Sequence, residues 1–110
     1  MKLLVMVLNK VELLDKLLIT LSNEDIRGAT IISTTGMASE LANSEDTNIL
    51  GSLRMLLGQS RSDNRTIFIV LPDEKVQRTL DIIHKIVGDL SEPQTGILFT
   101  VPLDYTEGIR

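Results

Sequence analysis

The chain has 110 residues and a mass of 12.2 kDa, enough for one hydrophobic core and too little for two. Apolar residues make up 43% of the sequence and charged residues 24%, a balance typical of a folded domain and not of a disordered chain. The net charge of −4 has the wrong sign for a nucleic-acid-binding protein. The chain contains no cysteine, which excludes disulfides, thiolate metal sites and a cysteine nucleophile.

The first strand and helix are predicted from residues 2–25. Residues 2–8 are a short apolar run bounded by polar residues, which favours a strand and is far shorter than the roughly 18 residues of a membrane span. No small-residue cleavage site follows this run, so we expect no signal peptide and a cytoplasmic protein. Asn9 is a candidate helix cap with Glu12 three residues later, and apolar positions repeat at helical spacing over 11–21. Polar residues at 22–25 end this predicted helix.

A second strand and a long insert come next. Residues 27–35 are rich in β-branched side chains and end at Gly36, which predicts a strand. The insert 37–64 is longer than an ordinary connection, and such segments are usually functional or disordered. Its centre, 49–57, places five apolar side chains on one helical face and predicts a short amphipathic helix. We expect the polar flanks, 38–47 and 59–64, to be mobile.

The second half of the chain repeats the strand–helix–strand pattern. Residues 66–71 predict a strand that ends at a proline. Asp73 is the expected N-cap of a helix whose apolar stripe runs over 76–87, and Gly88 suits its C-terminus. Residues 96–103 predict the last strand.

The order β-α-β-insert-β-α-β predicts a single α+β domain over 1–110. Its architecture would be a ferredoxin-like antiparallel sheet of four strands with two helices on one face. Residues 3–8, 67–71 and 97–99 are nevertheless apolar on both strand faces, so the face without helices also needs cover. Only the insert or another subunit can supply that cover, which favours oligomerisation through the sheet.

Three stretches, in this order and spacing, resemble the PII-like nitrogen-regulatory family. They read GATIISTTG over 28–36, TIFIVLPD over 66–73 and TGILFTVPL over 95–103. The insert occupies the place of that family's long regulatory loop. The resemblance implies a homotrimer with inward-facing sheets that binds small effectors, typically adenine nucleotides, in clefts between subunits. It also implies that the long loop binds a target protein.

The resemblance indicates which residues would form the effector cleft, and the apolar face and arginine of the predicted helix 49–57 indicate the partner contact. The effector cleft would contain Thr30, Thr34, Thr35, Gly36, Met37, Thr95 and Gly96. The partner contact on the insert would contain Leu50, Leu53, Arg54 and Leu57. Each set also has a plain structural interpretation, as strand ends with glycines for the first and as cover for the insert's own base or a neighbouring subunit for the second.

The segment before the last strand differs from the family's pattern. The family has a glycine-rich loop with a lysine at this place, whereas residues 91–96 contain one glycine and no base. A polyphosphate needs several cations or a nest of backbone N–H groups. An adenine nucleotide therefore remains only a possible ligand, and the sequence predicts a Kd for ATP above about 100 μM.

Enzyme classes find little support in the sequence. No GxGxxG, GxxxxGK[ST], HExxH or GxSxG motif occurs. His84 is the only histidine, and a metal site normally recruits more than one nitrogen ligand. The sequence therefore predicts a non-enzymatic regulatory protein without a metal. The alternative is a structural ferredoxin-like trimer whose insert binds a partner without any small effector.

Overall fold

The computed structural model describes residues 1–42 and 63–109 of the chain. The strands are β1 (Lys2–Leu8), β2 (Ala29–Thr34), β3 (Asn64–Leu71) and β4 (Gly96–Pro102). The helices are α1 (Leu14–Asn23), α2 (Met37–Ala42) and α3 (Asp73–Val87), and a single 3₁₀ turn, Val11–Leu13, precedes α1. The predicted helix 49–57 and most of the insert lie outside the described residues.

The four strands form one sheet in the order β2-β3-β1-β4, and every neighbouring pair is antiparallel. The two long helices, α1 and α3, pack against each other and share a hydrophobic core with one face of the sheet. The prediction of an α+β ferredoxin-like fold is therefore confirmed.

The core lies between this sheet face and the helices. Alternate residues of β1 and β3 enter it, because successive side chains of a strand point to opposite faces. The buried residues of the sheet are Leu4, Met6, Leu8, Ile67, Ile69 and Leu71, and those of the helices are Leu17, Leu21, Ile82, Ile83 and Val87.

The opposite sheet face, which we call the open face, is also apolar. It consists of the other alternate residues of β1, β3 and β4, namely Leu3, Val5, Val7, Thr66, Phe68, Val70, Ile97, Phe99 and Val101, with Thr30, Ile32 and Thr34 from β2. Val5, at the centre, is buried between its strand partners Phe68 and Phe99. Ile97 and Phe99 remain 61% and 47% exposed. A single copy of the described chain therefore leaves this face partly uncovered.

Both helix starts differ from the predicted ones. The first helical segment begins with a 3₁₀ turn whose N-cap is Lys10 and not Asn9, and no side chain caps it. The backbone satisfies this start instead, since Val11 N donates to the Asn9 carbonyl at 2.9 Å. The α-helix that follows extends two residues beyond the predicted end at Leu21.

The start of α3 is displaced by one residue. Pro72 occupies its N-cap position, so Asp73 is the first helical residue. The Asp73 carboxylate is paired with the Met1 amine at 3.1 Å and with Lys2 Nζ at 3.5 Å. The hydrogen bond from the amine and the charge of Lys2 lower the pKa of Asp73. Its side chain therefore connects α3 to β1 and does not cap the helix.

The helix α2 occupies the beginning of the insert, where the sequence predicts only a polar, mobile flank. The Gly36 carbonyl accepts a hydrogen bond from Glu40 N at 3.0 Å, which closes the first turn. Thr35 Oγ1 donates to Glu40 Oε1 at 2.6 Å and ties the same turn to the end of β2. These hydrogen bonds hold the first turn, and the apolar residues Met37 and Leu41, one turn apart, are both exposed.

An ion pair connects the end of α1 to α3 and predicts a pH dependence of stability. Arg78 Nη2 and Nε reach the two Glu24 carboxylate oxygens at 2.6 and 3.4 Å. The hydrogen bond from Arg78, followed by its charge, lowers the pKa of Glu24. Because the folded-state pKa is the lower one, the contribution is complete above the ordinary pKa of Glu24 and is lost as pH falls through the folded value.

We expect the Glu24→Gln variant to lose less unfolding free energy than the parent chain between pH 7 and pH 3. Urea denaturation at several pH values measures this difference. Glu74→Gln is the matched control, because Glu74 is an exposed acid at the start of α3. Parallel pH profiles for the parent and Glu24→Gln would contradict the expectation.

Candidate functional site

One end of the sheet carries most of the residues predicted to bind an effector. At this end, Ser33 of β2 lies beside Arg65 of β3, and Leu8 of β1 lies between Arg65 and Gly96 of β4. We call it the insert end, because β2 leads from it into the insert and β3 returns to it. Thr34, Thr35, Gly36 and Met37 are contiguous here.

Their side chains are largely engaged within the chain. The Thr34 and Thr66 hydroxyls share a hydrogen bond of 2.7 Å across β2 and β3. Thr35 is bound to Glu40, as described above. Only Met37, which is 80% exposed, projects fully into solvent. The available groups at the end of β2 are thus backbone atoms and a flexible thioether.

Thr95 and Gly96 lie at the same end of the sheet but on the opposite edge strand. Three strand spacings, about 14 Å, separate β2 from β4, so one chain does not bring the two groups together. Thr95 is 1% exposed, and its carbonyl accepts a hydrogen bond from Asn9 N at 3.2 Å. A Cβ at Gly96 would lie 2.5 Å from the Val7 carbonyl oxygen. Both residues therefore have a packing role in the isolated chain.

Thr30 lies apart from the other candidates, in a cavity of about 630 Å³ at the β2 edge, toward the end of the sheet away from the insert. The apolar lining comprises Ile26, Phe68, Val70, Leu71, Pro72 and Ile109. Arg27 and Lys75 supply positive charge, and Gly108 brings the C-terminal segment to the rim. Sequence reasoning missed this cavity, because its walls come from four separate parts of the chain, namely Met1 and segments of 25–30, 68–75 and 108–109.

The cations of the cavity already have partners. Arg27 Nη2 lies 3.5 Å from Asp25 Oδ1, and Lys75 Nζ donates to the Asp25 carbonyl at 3.3 Å. The Met1 amine is paired with Asp73. An apolar wall with few available charges suits a compact ligand with an apolar body.

The loop 88–95, between α3 and β4, does not fit a polyphosphate. Asp89 Oδ1 accepts hydrogen bonds from Ser91 N at 2.9 Å and from Ser91 Oγ at 2.8 Å. These bonds lower the pKa of Asp89, so its carboxylate carries a negative charge at neutral pH. Glu92 adds an exposed acid. Within residues 1–42 and 63–109, no group of three or more His, Asp or Glu side chains could hold a metal ion.

The remaining sequence predictions concern the insert. Leu50, Leu53, Arg54 and Leu57, the residues of the predicted partner contact, lie outside the described residues. Among the described helices, none is long and apolar enough to cross a membrane.

The fold and the insert together define a class of protein. A sheet in the order β2-β3-β1-β4 with two helices on one face is a ferredoxin-like domain, here with an apolar open face and a long segment inserted between β2 and β3. The family model described as "Nitrogen regulatory protein P-II" matches residues 1–110. The chain therefore belongs to the P-II nitrogen regulatory protein family, whose members are regulatory proteins. No curated protein matches the chain.

Proposed function

We propose that this chain forms a homotrimeric, cytoplasmic signalling protein that binds a small effector between subunits. The effector would control how the insert, residues 37–64, binds a target protein, and the protein would catalyse no reaction. The observation that carries this proposal is the apolar open face. A single domain over 1–110 would supply one third of the assembly.

Burial of the open face between subunits would explain why its side chains are apolar. The open face is apolar over β3, β1 and β4, and its β4 side chains Ile97, Phe99 and Val101 are exposed, which is typical of an interaction surface. Family membership supports a trimer in which the three sheets face one another. Such an arrangement would cover Ile97 and Phe99 without any change in the fold of the chain.

The separation of the candidate residues supports a cleft between subunits. Thr34 to Met37 and the pair Thr95–Gly96 lie on opposite edges of one sheet, about 14 Å apart. A neighbouring copy that packs edge to edge would bring the β2 edge of one subunit close to the β4 edge of the next. The Thr30 cavity lies on the same β2 edge, toward the end of the sheet away from the insert, and would supply an apolar part of a site that extends along this edge.

The insert would provide the contact with the target. Leu50, Leu53 and Leu57 share one face of the predicted helix 49–57, and Arg54 is next to it. A free amphipathic helix of nine residues is not stable in water, so this face needs a surface to pack against. The nearby end of β2 would relay effector binding to the insert through the Thr35–Glu40 contact.

A thermal-shift screen with Thr30→Val tests the effector site. The panel comprises adenine nucleotides, cyclic dinucleotides and bicarbonate. We expect at least one compound to raise the Tm of the parent chain by about 5 °C or more at 100 times its Kd. The same compound should lose most of this effect on Thr30→Val, because the variant removes the hydroxyl from the cavity wall.

Thr100→Val is the matched control, since Thr100 is an exposed threonine on the other edge strand and does not line the cavity. It should respond to the compound as the parent does. An equal rise in Tm for Thr30→Val and Thr100→Val would show that the compound binds outside the Thr30 cavity. A panel without any stabilising compound would favour the structural trimer that lacks an effector, which the packing roles of Thr95 and Gly96 also suit.

A further inference from the structure

We propose that the loop 88–95 excludes polyphosphates from the effector cleft, so that the effector carries at most one negative charge where it meets this loop. The inference rests on the proposed function, because it assumes a cleft at the insert end of the sheet. It identifies the chemical class of the ligand as an uncharged or singly charged small molecule.

Two of the backbone N–H groups in the loop are already bound within it. Ser91 N donates to the Asp89 carboxylate, and Glu92 N donates to the Asp89 carbonyl at 3.2 Å. Pro93 has no N–H to offer. A phosphate cradle needs several adjacent N–H groups that point at the ligand, and here two of them are bound to one aspartate.

The two ends of the loop are fixed as well. Gly88 caps α3 in a left-handed conformation with φ of 92°, and its N–H is bound to the His84 carbonyl. Thr95 is buried, and Gly96 packs directly against Val7. The loop therefore has little freedom to reverse its N–H groups toward a ligand.

The charge of the insert end opposes an anionic ligand. The loop 88–95 contributes two acids, Asp89 and Glu92, and no base. Arg65 is half-buried, and its Nη1 lies 3.7 Å from Asp63 Oδ2. A triphosphate would thus meet more negative than positive charge, which raises its free energy of binding at low ionic strength.

A charge-neutralised loop tests this assignment. Asp89→Asn/Glu92→Gln removes two negative charges, and the asparagine oxygen can still accept the hydrogen bond from Ser91. Titration with Mg-ATP, followed by protein NMR shifts, resolves Kd values in the millimolar range. We expect a Kd above about 100 μM for the parent chain. The double variant should bind at least about threefold more tightly in 50 mM salt, and this gain should disappear in 0.5 M salt because salt screens the charges.

The matched control is Glu74→Gln/Asp104→Asn, which removes the same charge from two exposed positions at the other end of the sheet, where β3 and β4 end. Its affinity for Mg-ATP should equal that of the parent. A low-micromolar Kd for the parent would overturn the exclusion and leave the proposed function intact. An unchanged affinity in the loop variant would also overturn it. The proposed function fails by a different result, namely a monomeric particle or a panel without any stabilising compound.

Discussion

Replacement of Ile97 by Asp is expected to convert a particle of about 37 kDa, three times 12.2 kDa, into a folded monomer. Ile97 lies on the open face and is 61% exposed in the single chain, so the aspartate is tolerated there by the isolated subunit. In the trimer it would bury an unpaired carboxylate, at a cost of several kcal/mol for each subunit. Light scattering at micromolar concentration measures the mass, and circular dichroism checks the fold.

The chain offers a close control for this substitution. Ile19 on α1 is 62% exposed, almost the same as Ile97, but lies on the helical side of the molecule. Ile19→Asp should therefore remain trimeric. If the parent chain scatters as a monodisperse monomer, or if both variants keep the full mass, the open face is not the interface.

A substitution on the other sheet face separates assembly from folding. Ile69, one residue from Phe68 on β3, points into the core beneath the helices and is buried. An aspartate at this position would lack a partner inside the subunit itself. Because Ile69 lies on the core face of β3, we expect Ile69→Asp to unfold the chain and not to release a folded monomer.

The strands and the two long helices could be predicted because their signals are local. The apolar run 2–8 matches β1, and the stripe over 76–87 lies within α3. The pattern of two apolar strand faces also anticipated the open face correctly. These features depend on side-chain periodicity, which the sequence displays directly.

The predictions of the helix starts were wrong because several polar groups compete for the same hydrogen bonds and ion pairs. Asn9 and Asp73 are good capping residues, but neither is an N-cap in the structure. The first helical turn has Lys10 at its N-cap, and the Asp73 carboxylate is paired with the Met1 amine. The first turn of α2 contains a Thr35–Glu40 hydrogen bond that side-chain periodicity does not show. The Thr30 cavity needs residues from four separate segments, so only the folded chain could show it.

The two glycine-containing ends of the candidate cleft illustrate the same limit. Gly36 and Gly96 look equivalent in sequence, as glycines next to a threonine at a strand end. In the structure a Cβ on Gly36 would meet only the Asn64 side-chain nitrogen at 3.8 Å, whereas one on Gly96 would collide with β1. Of these two glycines, Gly96 is therefore the one that the fold requires.

Gly96→Ala is consequently expected to destabilise the chain by about 3 kcal/mol, a sum of backbone strain and overpacking. Its φ of 155° is rarely adopted by alanine, and the added Cβ would lie 2.5 Å from the Val7 carbonyl oxygen and 2.8 Å from Met6 Cε. The contact with the Val7 backbone cannot be relieved by rotation of a side chain, because β4 is paired with β1 at this position. Thermal unfolding without ligand should show a Tm lower by roughly 10 °C or more.

Gly28→Ala supplies the comparison, because a Cβ there meets nothing within 4 Å and the backbone is not left-handed. Its unfolding free energy should stay within about 1 kcal/mol of the parent value, and any change should be toward higher stability. Equal Tm values for the two alanine variants would mean that β4 can move away from β1. The close approach of Val7 would then not explain why a glycine occupies position 96. Contact with a bound effector would explain it instead.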